Sequence, residues 1–167
     1  KSGFDRNLWI WNYPDYSKKY LICADVARGD GTDYSAAQVF DIEEMEQVAE
    51  YKGQLGTTEF GNFLIELATK YNDALLVVEN NNIGWATLQT IIDRGYENLF
   101  YQEKNHLVVD EDNKHSNRYR HIDKNKIPGF TTTQKTKPLI VAKMEEYTRE
   151  KMVKLKSTRL IDELFVF

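Results

Sequence analysis

The sequence predicts one α/β domain built on a mixed β-sheet of about five strands flanked by helices. The chain has 167 residues, which suits a single domain. An apolar run at 20–27 is followed by strand-like runs at 34–41 and 46–53, the pattern of a three-stranded meander. An amphipathic stretch over 57–71 then leads to a second apolar run at 74–79. Because a helical crossover joins the two apolar runs, we expect their strands to be parallel.

Local signals place the other elements of the first hundred residues. Residues 1–19 are rich in aromatic side chains and are interpreted as an incoming arm or linker, so the domain proper is predicted over 20–167. Thr57 and Thr58 are expected to cap the first helix. A second helix is predicted over 83–94, ended by Gly95.

The last third of the chain predicts an insertion followed by two helices. A short fifth strand is expected at 99–102, and the polar stretch 103–127 resembles an inserted β-hairpin with strand-like patches at 107–109 and 119–122. Helices are predicted over 137–151 and 160–167, separated by a brief extended piece at 153–156. Ser157 or Thr158 is expected to cap the last helix.

Composition narrows the classes of function. The net charge is −4, yet residues 131–160 hold eight Lys/Arg against three Asp/Glu. A basic segment on an acidic domain is compatible with nucleic-acid backbone contacts, and the alternative is a solvated helix face. No apolar stretch approaches the roughly 20 residues of a membrane span, so no membrane partner is expected. Cys23 is the only cysteine and lies in an apolar run, where we expect it to be a buried core residue.

Two carboxylates are the most informative chemical feature. Asp25 ends the first apolar run and Glu79 ends the second, and each opens into a loop rich in Gly or Asn. Carboxylates on neighbouring strands repel each other unless a cation lies between them, and oxygen ligands of this kind suit Mg²⁺ or Mn²⁺. The pair predicts a metal-dependent phosphodiester hydrolase. The alternatives are a turn-initiating Asp25 and a Glu79 in a strand-end salt bridge.

Other residues near these motifs are weaker candidates. Asp33 is a further metal-ligand candidate, or a strand cap. Arg28, Lys135 and Lys137 flank the predicted cleft or precede a helix, so they are candidates for phosphate contacts; a solvated surface position is the alternative. Asn81 is a candidate contact to a DNA backbone, with turn formation as the alternative.

Four stretches of the chain resemble one known family. They are residues 25–35 (DVARGDGTDYS), 77–84 (VVENNNIG), 128–138 (PGFTTTQKTKP) and 160–164 (LIDEL). In this order they resemble the C-terminal nuclease domain of the large terminase subunit of tailed bacteriophages, the DNA-packaging motor protein. The resemblance covers most of 20–167 and implies a ribonuclease H-like fold.

The resemblance also implies a function and partners. It implies an endonuclease that cuts concatemeric viral DNA by two-metal hydrolysis with Mg²⁺ or Mn²⁺, in which Asp25 bridges the ions and Glu79 holds one of them. The implied partners are double-stranded DNA, the terminase ATPase domain, the small terminase subunit and the portal. The implied location is the host cytoplasm, transiently at the procapsid portal. The sequence contains no G-x-x-x-x-G-K-[ST] loop, so the ATPase is not expected in this chain.

One departure from the family pattern keeps alternatives open. The family has a third catalytic aspartate in an Asp-Asp-Leu motif on a C-terminal helix, and Asp162 does not match it. We therefore expect the chain to be truncated and its catalytic centre incomplete. The alternatives are a non-catalytic module that grips DNA or docks on a portal, and another ribonuclease H-like enzyme such as a junction resolvase or transposase.

Overall fold

A mixed five-stranded sheet forms the centre of the molecule. The computed structural model describes residues 7–104 and 125–166. The strand order is β1-β4-β3-β2-β5, with β5 parallel to β2 and the other pairs antiparallel. The elements are β1 (Leu8–Ile10), β2 (Tyr20–Asp25), β3 (Ser35–Asp41), β4 (Glu46–Gly53), α1 (Thr57–Lys70), β5 (Leu75–Val78), α2 (Gly84–Asp93), β6 (Tyr101–Glu103), β7 (Lys126–Pro128), α3 (Thr136–Arg149) and α4 (Thr158–Val166). The predicted meander, parallel crossover and flanking helices are confirmed.

The main core lies between the sheet and the first two helices. Ile22 and Ala24 of β2 are buried in the same cluster as Phe60 and Leu64 of α1 and Leu88 of α2. Strand side chains alternate between faces, so the neighbours of Ile22 and Ala24 on β2 point to the opposite face. The sheet therefore has one face covered by α1 and α2 and a second face that carries Asp25.

The expectation that Cys23 is buried in the core is wrong. Cys23 is exposed because it lies on the second face of β2, between the inward-pointing Ile22 and Ala24. The continuous apolar run correctly predicts an interior strand, since β2 has β3 on one side and β5 on the other. A continuous apolar run does not require that both faces be covered.

The outer edge of β5 is also hydrogen-bonded. Leu76 forms an isolated parallel bridge with Leu99, and Glu79 forms one with Phe130. The predicted strand at 99–102 is thus only partly correct, because Tyr101–Glu103 pairs with Lys126–Pro128 in a separate two-stranded sheet. That pair forms the base of the predicted insertion, whose patches at 107–109 and 119–122 lie outside the described residues.

The N-terminal segment contributes to the same sheet. Leu8–Ile10 pairs with β4, and Ile10 is buried in the core. This part of the predicted arm therefore packs on the domain, while the boundary between 1–19 and 20–167 stays a prediction. In the described ranges, no helix combines the length and apolarity that a membrane crossing requires.

Helix ends follow the sequence signals at two of three sites. Gly95 has a φ of +72° and follows α2 as predicted. The Ser157 hydroxyl accepts the Leu160 N–H at 3.0 Å and caps α4. The prediction for α1 is wrong, because Gly56 occupies the N-cap and makes no side-chain capping hydrogen bond.

The C-terminal segment runs along β4 on the second face of the sheet. Lys154 bridges Glu46 at the start of β4, and the Gln47 side-chain oxygen accepts the N–H groups of Lys156 and Ser157, each at 2.8 Å. Side-chain ion pairs accompany this path, joining Lys154 to Glu44, Lys156 to Glu46 and Arg159 to Glu50. Three basic residues of the predicted basic segment therefore pair with acids in or beside β4.

Glu50 is the buried centre of this docking contact. It is 1% exposed, accepts a short hydrogen bond from the Ser157 hydroxyl, and pairs with Arg159 at 3.2 Å. Arg159 also stacks over the Trp9 ring at 3.9 Å from the centroid. A buried carboxylate is stable only when it is paired and hydrogen-bonded, and these contacts supply both.

We expect Ser157→Ala to lower the free energy of unfolding by about 1–3 kcal/mol, because it removes the α4 cap and a partner of buried Glu50. Urea denaturation measures the change. Thr148→Ala is the matched control, since its hydroxyl donates to a carbonyl one turn back on exposed α3, and it should change stability by no more than about 0.5 kcal/mol. Equal effects of the two substitutions would contradict the anchoring assigned to Ser157.

Candidate active site

The parallel pairing of β2 and β5 brings Asp25 and Glu79 together. Ala24 lies opposite Val78, so the next residues along the two strands, Asp25 and Glu79, are neighbours at the same end of the sheet. The Glu79 N–H donates to the Ala24 carbonyl at 2.9 Å, which continues the ladder to this point. The two carboxyl groups share a hydrogen bond. The structure thus places the two acids singled out in the sequence side by side.

Their proximity changes the acidity of Asp25. Partial burial of the carboxyl, the hydrogen bond with Glu79 and the charge of Glu79 raise the pKa of Asp25 to about 6. The negative charge of Glu163 on α4 raises the same pKa further, whereas the Val26 N–H lowers it by hydrogen bonding. The pair is therefore a site of unbalanced negative charge, which a cation would relieve.

The loop after Asp25 is held at its base by a buried serine. The Ser35 hydroxyl, fully buried, accepts the Ala27 N–H at 2.9 Å. Gly29 has a φ of +80°, and a Cβ at this position would lie 2.5 Å from the Leu55 carbonyl oxygen. Only glycine suits that backbone and that approach. The G-x-G pattern of the loop is therefore explained at Gly29 by chain packing.

The segment after Glu79 is fixed by close backbone contacts. A Cβ on Gly84 would lie 1.9 Å from the Glu79 carbonyl oxygen, so glycine lets α2 start directly against the strand end. The buried Asn80 side chain donates to the Pro128 carbonyl at 3.0 Å, and its N–H donates to the Phe130 carbonyl at 2.9 Å. Asn80 therefore ties the backbone directly after Glu79 to the segment at Pro128 and Phe130.

The other candidates in these two motifs are not joined to the acid pair by any contact that the structure gives. Arg28 and Asp33 are exposed in the loop after β2. Among the described residues there is no group of three or more His, Cys, Asp or Glu side chains arranged to hold a metal. Asp33 as a ligand and Arg28 as a phosphate contact stay predictions.

Asn81 has a structural contact in addition to its proposed one. Its side-chain oxygen accepts the Gly84 N–H at 2.9 Å, so it stabilises the turn into α2. Asn81 is exposed and lies two residues after Glu79 in the sequence. Turn formation is thus present, and a DNA contact through Asn81 stays a prediction.

Lys135 and Lys137 lie at the start of α3 and are exposed. Thr133 and Thr136 exchange hydrogen bonds that fix this helix start, with backbone N–H to hydroxyl distances of 2.8 and 3.0 Å. The segment leaves the sheet at Phe130, which bridges Glu79. The chain therefore leads directly from the acid pair to these lysines, and no residue of α3 is buried.

Two charged residues at this face were missed in the sequence. In the antiparallel register Asp25 lies opposite Ala36, and Ala36 lies opposite Lys52. Directly opposed residues share a face, so Lys52 and Asp25 lie in one row across the sheet. Glu163 forms an ion pair with Lys52. Strand alternation could have indicated Lys52, but the contact with Glu163 joins positions 111 residues apart and has no local signal.

The donor set fits a hard divalent cation. Mg²⁺ is commonly held by one or two carboxylates, with water and substrate phosphate oxygens as its other ligands. Asp25 and Glu79 supply two carboxylates at one end of the sheet, and burial together with the neighbouring Glu79 raises the pKa of Asp25. The described residues therefore offer protein ligands for one such ion.

The fold belongs to the ribonuclease H-like α/β class. Two crystal structures of the large terminase nuclease from thermophilic phage G20c, one with bound magnesium and one with bound cobalt, match 98% of this chain and 70% of each of those chains. Both have a TM-score of 0.70, with 14% and 15% sequence identity. A third structure of that nuclease matches 57% of this chain and 48% of its own, at a TM-score of 0.50 and 19% identity.

These comparisons confirm the fold that the resemblance implied. The chain is similar in architecture to a large terminase nuclease over nearly its whole length. Identities of 14–19% establish a likeness of fold. No protein-family model matches the sequence, and no curated protein sequence matches it significantly.

We expect Asp25→Asn to stabilise the metal-free protein at neutral pH. The pKa of Asp25 is raised from 3.8 to about 6, so its charge opposes folding above pH 6, and that effect disappears as the pH falls to 4. Asp25 is exposed, so solvent screening limits the gain to about 1 kcal/mol or less at pH 7.5. Thermal denaturation in EDTA at pH 7.5 and pH 4 tests this.

The matched control is Asp30→Asn, an exposed carboxylate in the adjoining loop. It should leave the melting temperature unchanged at both pH values. A pH-independent effect of Asp25→Asn, or a loss of stability at pH 7.5, would contradict the repulsion assigned to the acid pair.

Proposed function

We propose that this chain is a metal-dependent DNA endonuclease domain. The observation that carries the proposal is the juxtaposition of Asp25 and Glu79 at the ends of two neighbouring parallel strands. The ribonuclease H-like fold, with its likeness to a large terminase nuclease that binds magnesium or cobalt in crystals, supports the same function.

Asp25 and Glu79 are the proposed ligands of Mg²⁺ or Mn²⁺. A bound ion would polarise a phosphodiester and lower the pKa of a coordinated water. The chain's part is to present both carboxylates ionised and in fixed positions. The Ala24 carbonyl and the Gly84 backbone restrict Glu79, and the Val26 N–H favours the ionised form of Asp25. Two-metal hydrolysis, with Asp25 shared between ions and Asp33 as an accessory ligand, is the finer form of the proposal.

Double-stranded DNA is the proposed substrate. Arg28 lies in the loop after Asp25, and Lys135 and Lys137 follow the segment that bridges Glu79. Cations in these positions would neutralise phosphates on either side of a scissile bond. Asn81 would add a polar contact from the loop between Glu79 and α2.

The wider setting is proposed from the family resemblance. We propose that the domain belongs to a phage terminase large subunit and cuts concatemeric DNA during genome packaging. Its proposed partners are the terminase ATPase domain, the small subunit and the portal. The proposed location is the host cytoplasm, with transient residence at the procapsid portal.

Nicking of supercoiled plasmid tests the activity. We expect relaxation and linearisation with Mn²⁺ or Mg²⁺, none with EDTA, and a loss of at least about 100-fold in Asp25→Asn and in Glu79→Gln, because each removes a ligand charge. Asp30→Asn, an exposed acid nearby, should retain activity. Cleavage that persists unchanged in both ligand variants would contradict the assignment.

A non-catalytic DNA-gripping module is the second candidate. The observation that favours it is that the described residues bring together two acids rather than three. A wild-type protein that binds Mn²⁺ and DNA but never cleaves would support this candidate. Preference for a four-way junction over linear duplex would instead favour a resolvase.

A further inference from the structure

Lys52 lies in the same row as Asp25, on the second face of the sheet. The row of directly opposed residues runs from Asp25 through Ala36 to Lys52. Two inter-strand spacings separate the ends of this row, about 10 Å. Ala36 has only a methyl group, so no large side chain of the middle strand stands between the lysine and the acids.

The environment of Lys52 holds its ammonium at the surface of this face. Its Nζ lies 5.7 Å from the centroid of the Tyr34 ring and forms an ion pair with Glu163. The Lys52 side chain is 29% exposed, and that of Glu163 is 59% exposed. The Lys52 N–H donates to the Asn7 carbonyl at 3.0 Å, so β4 is hydrogen-bonded on this side too. The backbone of Lys52 is thus held by hydrogen bonds, and its ammonium group is accessible to solvent.

Glu163 belongs to a helix that is firmly held only at its start. Ser157 and Arg159 anchor the beginning of α4 to buried Glu50. None of the described residues of α4 is buried, and Phe165 near its end is 85% exposed. The pair with Lys52 joins the second half of the helix to the second face of the sheet. Exposed ion pairs of this kind are weak and are readily exchanged for another anion.

We propose that the Lys52 ammonium contacts a phosphate of bound DNA, and that it forms its ion pair with Glu163 when DNA is absent. This inference rests on the proposed function, since it names a substrate contact of the same site. A phosphate carries the charge that Glu163 now supplies, and it would arrive on the face where Asp25 and Glu79 lie. Displacement of Glu163 would also remove a negative charge from the neighbourhood of Asp25.

Duplex binding without catalysis tests the proposal. Fluorescence anisotropy with a 30-base-pair labelled duplex in EDTA, over a salt series, reports phosphate contacts independently of metal and cleavage. Lys52→Gln should weaken binding by about 5- to 10-fold and reduce the salt slope by about 1, whereas Lys52→Arg should retain both. Glu163→Gln should tighten binding by about 3-fold or more, because it frees Lys52.

The exposed pair of Lys154 and Glu44 is the matched control, since it lies at the opposite end of β4. Lys154→Gln and Glu44→Gln measure the effect of charge removal alone. The double variant Lys52→Gln/Glu163→Gln is decisive: the gain from Glu163→Gln should vanish when Lys52 is absent. Circular dichroism verifies that each variant is folded.

Three results would overturn the proposal. The first is a Lys52→Gln effect no larger than that of Lys154→Gln. The second is a Glu163→Gln gain that persists without Lys52. The third is wild-type protein that does not bind the duplex at low salt. Failure of plasmid nicking alongside the expected binding changes would contradict the nuclease proposal and leave the Lys52 contact supported.

Discussion

The placement of two like charges at the ends of adjacent parallel strands is the constraint around which this structure is organised. Parallel pairing of β2 and β5 sets the residues after Ala24 and Val78 beside each other. Partial burial of the Asp25 carboxyl, together with the hydrogen bond and the negative charge of Glu79, raises the pKa of Asp25 to about 6. A protein maintains such an arrangement only if the surrounding backbone fixes it, and strain or repulsion of this type is concentrated at functional sites.

The backbone around the acids shows how that fixation is achieved. Ser35 closes the loop after Asp25, and Gly84 lets α2 abut the Glu79 carbonyl. Both strands are hydrogen-bonded on their other sides as well, because β3 pairs with β2 and isolated bridges at Leu99 and Phe130 join β5. The backbone positions of Asp25 and Glu79 cannot separate without breaking ladder hydrogen bonds. The site is therefore pre-organised by the sheet before any ligand arrives.

The C-terminal segment adds a second layer of electrostatics. Three of its basic residues form ion pairs with acids in or beside β4. Part of the positive charge that the sequence concentrates in this segment therefore stabilises the fold. This docking places Glu163 close to Lys52 and Asp25. The basic segment, which resembles a nucleic-acid-binding region in the sequence, thus also docks on β4 and leads into the helix that carries Glu163. The lysines at the start of α3 lie outside this docking contact.

Local patterns in the sequence were sufficient to predict the meander, the parallel strand after the first helix, the helices and the acid pair, but not the edge strand Leu8–Ile10, which lies in the segment interpreted as an arm. Apolar runs and terminal carboxylates are local, and one helical crossover fixes the parallel pairing. The burial of Cys23 was mispredicted because an apolar run does not reveal which face of a strand is covered. Lys52 and Glu163 were missed because their relation depends on antiparallel register and on a contact across 111 positions. Of the stretch predicted as a strand at 99–102, Leu99 bridges β5, whereas Tyr101 begins a strand whose partner lies beyond the insertion.

Calorimetric titration of the wild-type protein with Mn²⁺ at pH 7.5 tests whether Asp25 and Glu79 form a metal centre. We expect binding that is lost or weakened at least about 10-fold in both Asp25→Asn and Glu79→Gln, because each of these residues supplies a ligand. Asp30→Asn should bind as the wild type does. Unchanged Mn²⁺ affinity in the two ligand variants, with folded protein, would contradict the assignment of these carboxylates as a metal centre.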